Sequence, residues 1–395
     1  MPASSPLRVA FLIPGEKSGH DGITDYSFWV AAAAAEQGAR VLMLSIHRLP
    51  LRDFMERTSE SARSRLTVHA PLTQRASASD LAASLREFAP DFVILQFSPH
   101  VFHDGRWIYP YLSKVCRALQ PYKVRLMVHE TWLRAGETAS LHNFALTALR
   151  RIEILAAFRQ LQPAQVFASN PLHLATLTRA GLAPRALPLF SNIPGSPRPA
   201  SAPAPLNALL ADLNVPPADI ARLPTAPLSG LFFARISPDW DPAPALARLH
   251  AEAAATGRSL VLISVGVTGY SDRGWQRIVA AAGTTPCIRL GPRNPAIITR
   301  LLHSADYGLS PTPLPYWLKS SACAAMIACE LPVVFSEATV PTDIPLPPSF
   351  ATLGPDRLQW HRPPPDRVSR PSTPATVWCL LIPEDSPHHA QPGPT

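Results

Sequence analysis

Short runs of branched and aromatic apolar residues alternate along this chain with longer segments rich in alanine and leucine. Such alternation is typical of βαβ units, in which helices connect parallel strands and cover both faces of the sheet. In the first half, the expected strands are Leu7–Ile13, Arg40–Ser45, Leu66–His69, Asp91–Phe97, Lys123–His129 and Gln165–Ser169. The helices expected between them include Asp25–Gln37, Ala78–Phe88 and Glu137–Gln160. The pattern therefore predicts an α/β fold with a parallel sheet.

A second, shorter set of the same alternation follows further along the chain. Its expected strands are Gly230–Arg235, Ser259–Val265, Pro286–Leu290, Tyr307–Ser310 and Leu331–Ser336. Its expected helices are Ala243–Thr256, Trp275–Ala282, Asn294–His303 and Ser321–Cys329. The chain has 395 residues, which is more than a single core usually holds. We therefore expect two Rossmann-like domains.

The prolines mark the boundaries between these parts. Of the 46 prolines, 11 lie between positions 184 and 230 and 14 lie in the last 55 residues. Because proline is unfavourable in helix interiors and central strands, both regions are expected to interrupt the regular pattern. We predict an N-terminal domain over 1–190, a proline-rich interdomain segment over 191–229, a C-terminal domain over 230–340, and an irregular proline-rich tail over 341–395.

The composition excludes several classes of protein. No apolar run approaches the roughly 20 residues that cross a bilayer, and the short apolar segment after Arg8 does not fit a signal peptide. The five cysteines are scattered and show no C-x-x-C spacing, which disfavours a disulfide framework or a zinc site. We expect a cytoplasmic protein without a bound metal.

The net charge of +8 lies almost entirely in the first half. Residues 1–190 contain 21 Lys and Arg against 14 Asp and Glu, whereas the rest contains 15 against 14. This excess favours an anionic partner, either a phosphorylated ligand or an anionic membrane face, although a solvated arginine-rich surface is equally consistent with it. The basic residues are dispersed and not interleaved with aromatics, so nucleic acid is not expected as a partner.

A glycine-bearing loop lies between the first expected strand and the first expected helix. Such a loop presents backbone N–H groups and a helix N-terminus, which suits phosphate, although a tight structural turn is an equal alternative. The spacing of Gly19 and Gly22 does not match G-x-G-x-x-G, and the loop lacks G-x-x-x-x-G-K-[ST]. A dinucleotide dehydrogenase is therefore disfavoured and a P-loop NTPase is excluded. His20 and Asp21 in this loop are candidates for a base or a sugar contact.

Polar residues follow two further strands of the first half. His129 and Glu130 come at the end of one strand, and His100 follows another. Ligands of open α/β sheets bind beyond the carboxyl ends of the strands. These residues are candidate sugar contacts or an acid/base pair. A histidine held by the loop backbone is the alternative.

The second half places cations in a similar position. Arg235 ends its first expected strand, and Lys319, one of four lysines, precedes an apolar helix that begins with Ser320 and Ser321. A cation beside a helix N-terminus suits a diphosphate, and a bidentate arginine from a neighbouring strand would complete the contact.

Together these segments resemble the GT-B glycosyltransferases of family 4, the glycosyl transferases group 1. The similar segments are Gly22–Ser27, Ser169–Pro171, Leu189–Pro194, Phe233–Ile236, Asp306–Leu309, Lys319–Ser321 and Leu331–Val333. The resemblance covers residues 7–340. It implies the GT-B fold, in which two Rossmann-like domains turn their parallel sheets towards a central cleft.

The resemblance also implies an activity. The C-terminal domain would bind a nucleoside-diphosphate sugar, and the hexosyl group would pass to a glycan, lipid-linked or small-molecule acceptor at the N-terminal domain. Transfer would retain the configuration and require neither a metal nor a cofactor. The setting would be polysaccharide or glycolipid assembly, in the cytoplasm and in peripheral contact with the inner, anionic membrane face.

The resemblance assigns roles to particular residues. Arg235 and Lys319 would stabilise the departing diphosphate, and His129 would contact the transferred sugar. The donor-binding residues would be Gly22, Arg235, Lys319, Ser320 and Ser321. The acceptor or sugar contacts would be His20, Asp21, His100 and Glu130.

Three features depart from the family pattern. The family's glutamate pair corresponds to Trp317 and Ala325 here, Glu330 replaces a glycine, and the tail shows no clear equivalent of the family's terminal helix. Two alternatives therefore stay open. One is a non-catalytic GT-B protein that binds a nucleotide or glycan or acts as a scaffold. The other is a nucleotide-sugar epimerase on the same fold, which requires an acid/base pair.

Overall fold

The structure is a computed structural model, and it describes residues 5–15, 22–49, 58–71, 75–102, 109–132, 141–191, 193, 205–233, 236, 240–266, 272–312, 319–335 and 373–382. These residues form two compact units. The first contains the described residues up to Pro188 together with 373–382, and the second contains those from Leu189 to Phe335.

The first unit is built on a seven-stranded parallel sheet. Its strands are β1 (Arg8–Ile13), β2 (Arg40–Ser45), β3 (Leu66–His69), β4 (Phe92–Phe97), β5 (Val124–Val128), β6 (Gln165–Ala168) and β7 (Pro184–Ala186). The strand order is β3-β2-β1-β4-β5-β6-β7, and every neighbouring pair is parallel. The six strands expected in this half are confirmed, whereas β7 was not foreseen.

Helices cover both faces of this sheet. They are α1 (Gly22–Glu36), α2 (Glu60–Arg63), α3 (Ala78–Phe88), α4 (Pro99–Phe102), α5 (Tyr109–Leu119), α6 (Leu141–Leu161) and α7 (Pro171–Arg179). On one face, strand residues such as Leu95 and Leu126 share a core with α3, α5 and α6. On the other face lies α1, whose run of buried alanines allows close approach to the strands. Covering both faces explains why the strands read as continuous apolar runs.

The second unit repeats the plan with five parallel strands. These are β8 (Leu228–Phe233), β9 (Leu260–Val265), β10 (Cys287–Gly291), β11 (Tyr307–Ser310) and β12 (Val333–Phe335), in the order β10-β9-β8-β11-β12. The helices are α8 (Leu206–Asp212), α9 (Pro217–Ala221), α10 (Ala243–Ala255), α11 (Arg273–Ala282), α12 (Pro295–Ser304) and α13 (Ser321–Ala328). Two separate cores lie on opposite faces of the sheet: one contains Leu231 and Ile263, and the other Phe232 and Leu262. The expected pair of Rossmann-like folds is confirmed.

A last helix, α14 (Pro374–Leu381), belongs to the first unit. The expectation of an irregular tail is therefore wrong for residues 373–382. The side chain of Trp378 is 2% exposed and lies in the sheet face beside α1, where its ring stacks on Phe92 at 6.2 Å and contacts Phe11 at 6.5 Å. Burial of this apolar helix face outweighs the local density of prolines. Pro374 stands in the first helical turn, where proline is tolerated.

The carboxyl end of α14 is held by a buried arginine of the sheet. The guanidinium of Arg125, on β5, donates to the carbonyl oxygen of Leu381 and lies over the ring of Phe92 at 5.5 Å. A cation is favourable there because the carboxyl end of a helix carries partial negative charge. Helix α14 thus supplies the returning terminal helix that the sequence did not reveal. None of the helices in the described part combines the length and apolar character needed to cross a bilayer.

Candidate functional site

In each sheet the chain order reverses at one point. The reversal lies between β1 and β4 in the first unit and between β8 and β11 in the second. In open α/β sheets the crevice beyond the carboxyl ends of such strands is where ligands bind. Both places carry residues that the sequence singled out.

The turn after β1 has a strict steric requirement. Gly15 has a φ of +73°, and a Cβ at this position would meet the carbonyl oxygen of His47 at 2.5 Å, so the turn requires glycine. Helix α1 then begins at Gly22, which is exposed. His20 and Asp21 lie outside the described residues, so their roles stay predictions.

The first candidate site is a histidine cluster, formed by Gln96, Ser98, His100, His129 and Glu130. Its members lie at or just beyond the carboxyl ends of β4 and β5. These strands are neighbours, so residues that follow them are brought together. From the sequence, roles were expected for both histidines and the glutamate, whereas Gln96 and Ser98 were polar residues at the same strand end without an assigned role.

Ser98 connects His100 to Glu130. The Ser98 hydroxyl donates to Glu130 Oε2 at 2.7 Å, and its oxygen lies 2.7 Å from His100 Nδ1. His100 Nδ1 is also 3.2 Å from the same carboxylate oxygen. Because the serine proton is directed at Glu130, Nδ1 of His100 donates to both oxygens, which leaves Nε2 as the ring nitrogen that can accept a proton. His100 and Glu130 are partly exposed, so this group can take a proton from a ligand hydroxyl.

His129 is held separately, in a buried position. Its Nε2 lies 2.6 Å from Gln96 Oε1, and its ring meets that of Tyr26, on α1, edge to face at 5.4 Å. Because an amide oxygen only accepts hydrogen bonds, His129 Nε2 must carry the proton. Burial raises the pKa of Tyr26 well above its ordinary value, so the phenol stays neutral. Tyr26 lies about one helical turn from Gly22, which brings the start of α1 close to His129.

The amide nitrogen of Gln96 is the feature of this cluster that most directly calls for a ligand. Gln96 is fully buried, and among the described residues its Nε2 has no hydrogen-bond partner. A buried donor without an acceptor is costly, and in native structures it usually indicates an absent water or ligand. Gln96 is therefore a candidate donor to a sugar hydroxyl or a phosphate oxygen.

We expect Gln96→Leu to lower the free energy of unfolding by about 1–3 kcal/mol, because it removes the acceptor that Gln96 Oε1 offers to the buried Nε2–H of His129. Replacing both partners, as in Gln96→Leu with His129→Leu, should cost less than the two single changes together. Urea unfolding of the four proteins of this double-mutant cycle measures the coupling.

The matched control for this cycle is Gln276→Leu, at an exposed position of α11. It should change stability by less than about 0.5 kcal/mol. Strictly additive losses at Gln96 and His129 would contradict the hydrogen bond between them.

The second candidate site is a lysine-helix site, formed by Lys319, Ser320 and Ser321 where the chain enters α13. Ser320 is the N-cap residue, and its Oγ accepts a hydrogen bond from the backbone N–H of Cys323 at 3.2 Å. The N–H groups of Ser321 and Ala322 point out of the helix end, as they do in any first turn. Lys319 is exposed directly before this turn. The site therefore combines a full positive charge with the positive end of a helix dipole.

The contacts that hold the first turn of α13 were not predicted from the sequence. Ser310, the last residue of β11, accepts a hydrogen bond from the backbone N–H of Thr312 at 3.1 Å, and its Oγ lies 3.1 Å from Cys323 Sγ. Burial raises the pKa of the Cys323 thiol, which therefore stays neutral. These contacts fix the first turn of α13 against β11. Arg235, expected at the end of β8, lies outside the described residues and stays a prediction.

A metal site has little support in the described part. Those residues contain no group of three or more His, Cys, Asp or Glu side chains placed to hold a metal ion. The expectations that the reaction needs neither a metal nor a cofactor are untested and stay predictions.

The chain thus contains two Rossmann-like units, each built on a parallel sheet with a polar site at the carboxyl end of a strand that flanks the reversal. No protein-family model matches the sequence, and no curated protein sequence matches it. A glycosyltransferase from Rickettsia africae superposes with a TM-score of 0.51 at 10% identity, over 84% of this chain and 79% of that one. This likeness confirms the expected GT-B fold, whereas the assignment to family 4 stays a prediction.

Two further solved structures are similar at lower scores. WaaG, a glycosyltransferase involved in lipopolysaccharide biosynthesis, superposes with a TM-score of 0.47 at 14% identity, over 83% of this chain and 80% of that one. The UDP-GlcNAc 2-epimerase from Methanocaldococcus jannaschii superposes with a TM-score of 0.49 at 9% identity, over 95% and 98%.

Proposed function

We propose that this protein is a glycosyltransferase that moves a sugar from a nucleoside-diphosphate sugar to an acceptor. The observation that carries the proposal is the lysine-helix site, which lies in the second unit at the strand-order reversal. A diphosphate leaving group gains negative charge as its bond to the sugar breaks. Preorganised positive groups stabilise that charge in the transition state. Lys319, the first turn of α13 and Arg235 are the groups that we assign to it.

We assign the sugar and the acceptor to the histidine cluster of the first unit. The amide nitrogen of Gln96 and the ring of His129 suit sugar hydroxyls, since one donates and the other is held in a fixed orientation. Nε2 of His100 would take the proton of the attacking hydroxyl, with Ser98 and Glu130 orienting the ring. The hydroxyl oxygen would attack the anomeric carbon from the face that the diphosphate leaves, so the proposed transfer retains configuration, and it uses no metal or cofactor.

The proposed acceptor is a glycan or a lipid-linked glycan. The first half of the chain carries the basic excess, and α6 exposes Leu149 and Ile152 at 45% and 64%, next to Arg151. Two exposed apolar side chains beside an arginine suit peripheral contact with an anionic membrane. This supports the part of the proposal that places a cytoplasmic enzyme at the inner membrane face.

A screen of UDP-, GDP- and ADP-sugars tests the proposal. We expect one nucleotide series to raise the melting temperature of the full-length protein, because a ligand at about 100 times its Kd adds about 2.7 kcal/mol of stability. The matching nucleoside diphosphate should also stabilise the protein, whereas the uncharged nucleoside should not. Mass spectrometry of the stabilising mixtures should then show transfer to an added acceptor or slow hydrolysis.

Each other outcome of the screen has a definite meaning. Stabilisation without transfer or hydrolysis would contradict the proposed enzyme and indicate a nucleotide- or glycan-binding protein. If no nucleotide changes the melting temperature, the proposed enzyme is contradicted and a scaffold protein is indicated.

The second candidate function is a nucleotide-sugar epimerase. One observation favours it: His100 and Glu130 form an adjacent acid/base pair, 3.2 Å apart, as such a reaction requires. An isomer of the donor sugar formed without any acceptor would establish it in place of the transferase. Unchanged donor in that assay would exclude it.

A further inference from the structure

A pocket of about 540 Å³ lies at the outer edge of the second sheet. One wall is β10, the outermost strand, and the other is the connection between α8 and α9 with α9 itself. Strand β9 separates β10 from β8, so the pocket is distinct from the reversal point between β8 and β11. Its volume is within the range of about 300–1,000 Å³ that is typical of small-molecule sites.

Part of the lining of this pocket is apolar. Val215, Leu223 and Leu290 line it, and all three belong to the buried core on that face of the sheet. These side chains suit contact with a compact apolar group.

Three arginines surround the opening, and we call the whole the arginine pocket. Arg222, Arg289 and Arg293 line it, against Asp219 as the acidic residue of the described lining. Two of the arginines hold ion pairs at the surface: Arg222 Nη1 is 3.8 Å from Asp219, and Arg289 Nη2 is 2.7 Å from Asp272. Such exposed pairs contribute little to stability, so a ligand can exchange them at little cost.

Arg293 differs from the other two. Its Nη1 donates to the carbonyl oxygen of Pro292 at 3.1 Å, and within the described part of the chain its guanidinium forms no ion pair with a carboxylate. It is partly buried and lies two residues after the end of β10. A guanidinium without a carboxylate partner favours an anion, because its planar donors match carboxylate and phosphate oxygens.

We propose that the arginine pocket binds a small organic anion that carries phosphate or carboxylate groups on a compact apolar body. This site goes beyond the proposed glycosyl transfer, since the donor and acceptor are assigned to other elements. The pocket would give the second unit two anion sites on one sheet, one at the strand-order reversal and one at the edge.

Calorimetric titration of the full-length protein tests the site, with inorganic pyrophosphate and citrate as probes for its phosphate and carboxylate forms. We expect at least one probe to bind. Arg293→Glu should weaken that binding at least about tenfold, because it removes a charge-assisted contact and adds repulsion. Arg40→Glu, an equal change of charge at an exposed position of the first unit, should alter it less than about twofold.

Two variants separate this site from the donor site. Lys319→Glu should leave probe binding at the arginine pocket intact, and Arg293→Glu should leave nucleotide binding intact. A negative donor screen would therefore not contradict the proposed anion site in the arginine pocket. Absence of probe binding at the arginine pocket would likewise not contradict the proposed glycosyl transfer. No binding of either probe at about 1 mM, or binding lost in Lys319→Glu or Arg40→Glu instead, would overturn the proposal.

Cys287 gives an independent readout of position, because it lines the pocket and is partly exposed. Burial raises the pKa of its thiol to about 11, so alkylation is best followed near pH 9. The binding probe should slow alkylation of Cys287 but not of Cys379, the other partly exposed cysteine, which lies in the first unit. Equal rates with and without the probe would place the binding elsewhere.

Discussion

Trp378→Ala is expected to lower the free energy of unfolding of the first unit by about 3–5 kcal/mol. The indole is fully enclosed between α14 and the sheet, stacked on Phe92 and in contact with Phe11. Removing it leaves a cavity against β1 and β4, the two strands that flank the chain reversal. Chemical unfolding followed by far-UV circular dichroism measures the loss.

Leu380→Ala is the matched control on the same helix. Leu380 is 47% exposed, so its truncation should change stability by less than about 0.5 kcal/mol. Trp378→Phe should fall between the two, since it keeps an aromatic ring in the same place. Equal effects of Trp378→Ala and Leu380→Ala would show that α14 does not pack on the sheet.

Most strands could be predicted from the sequence because each contains an apolar run that is recognisable by itself. Strands buried on both faces need an unbroken apolar run, and β4 or β9 shows one without reference to any other part of the chain. Strand β7 has no such run, since Pro184, Arg185 and Ala186 are partly or fully exposed. It exists because its backbone pairs with β6, and a proline is tolerated at the start of an edge strand.

Helix α14, in contrast, could not be predicted from its own sequence. Its local sequence is short and surrounded by prolines, so composition favours an irregular tail. Its stability comes from contacts with Phe11, Phe92 and Arg125, which are distant from Trp378 and Leu381 in the chain and lie on three strands of the sheet. The apolar island Val377–Ile382 is visible in the sequence, but the local sequence does not show what it packs against.

The candidate sites divide in the same way. His100, His129 and Glu130 could be predicted, because polar residues after a strand lie at the sheet edge where ligands bind. The roles of Gln96 and Ser98 could not be predicted, because they depend on the register of β4 against β5 and on single hydrogen bonds. A glutamine at the end of a strand is common. A buried amide nitrogen without an acceptor is visible only in three dimensions.

For the proposed enzyme, Lys319→Ala is expected to reduce kcat by about 10²–10³-fold with the donor sugar found in the screen. The ammonium beside the first turn of α13 would interact most strongly when charge has developed on the diphosphate. The loss should therefore appear mainly in kcat and less in KM. Steady-state kinetics with the purified protein measure both.

Lys114→Ala is the control, since Lys114 is an exposed lysine of α5 in the first unit and should leave kcat unchanged. Lys319→Arg should recover part of the activity, because it restores the charge with a different shape. Lys319 is itself exposed, so the melting temperature of Lys319→Ala should match that of the unmodified protein. If Lys319→Ala and Lys114→Ala have the same kcat, Lys319 does not take part in the reaction. The main support for diphosphate stabilisation by this helix end would then be lost.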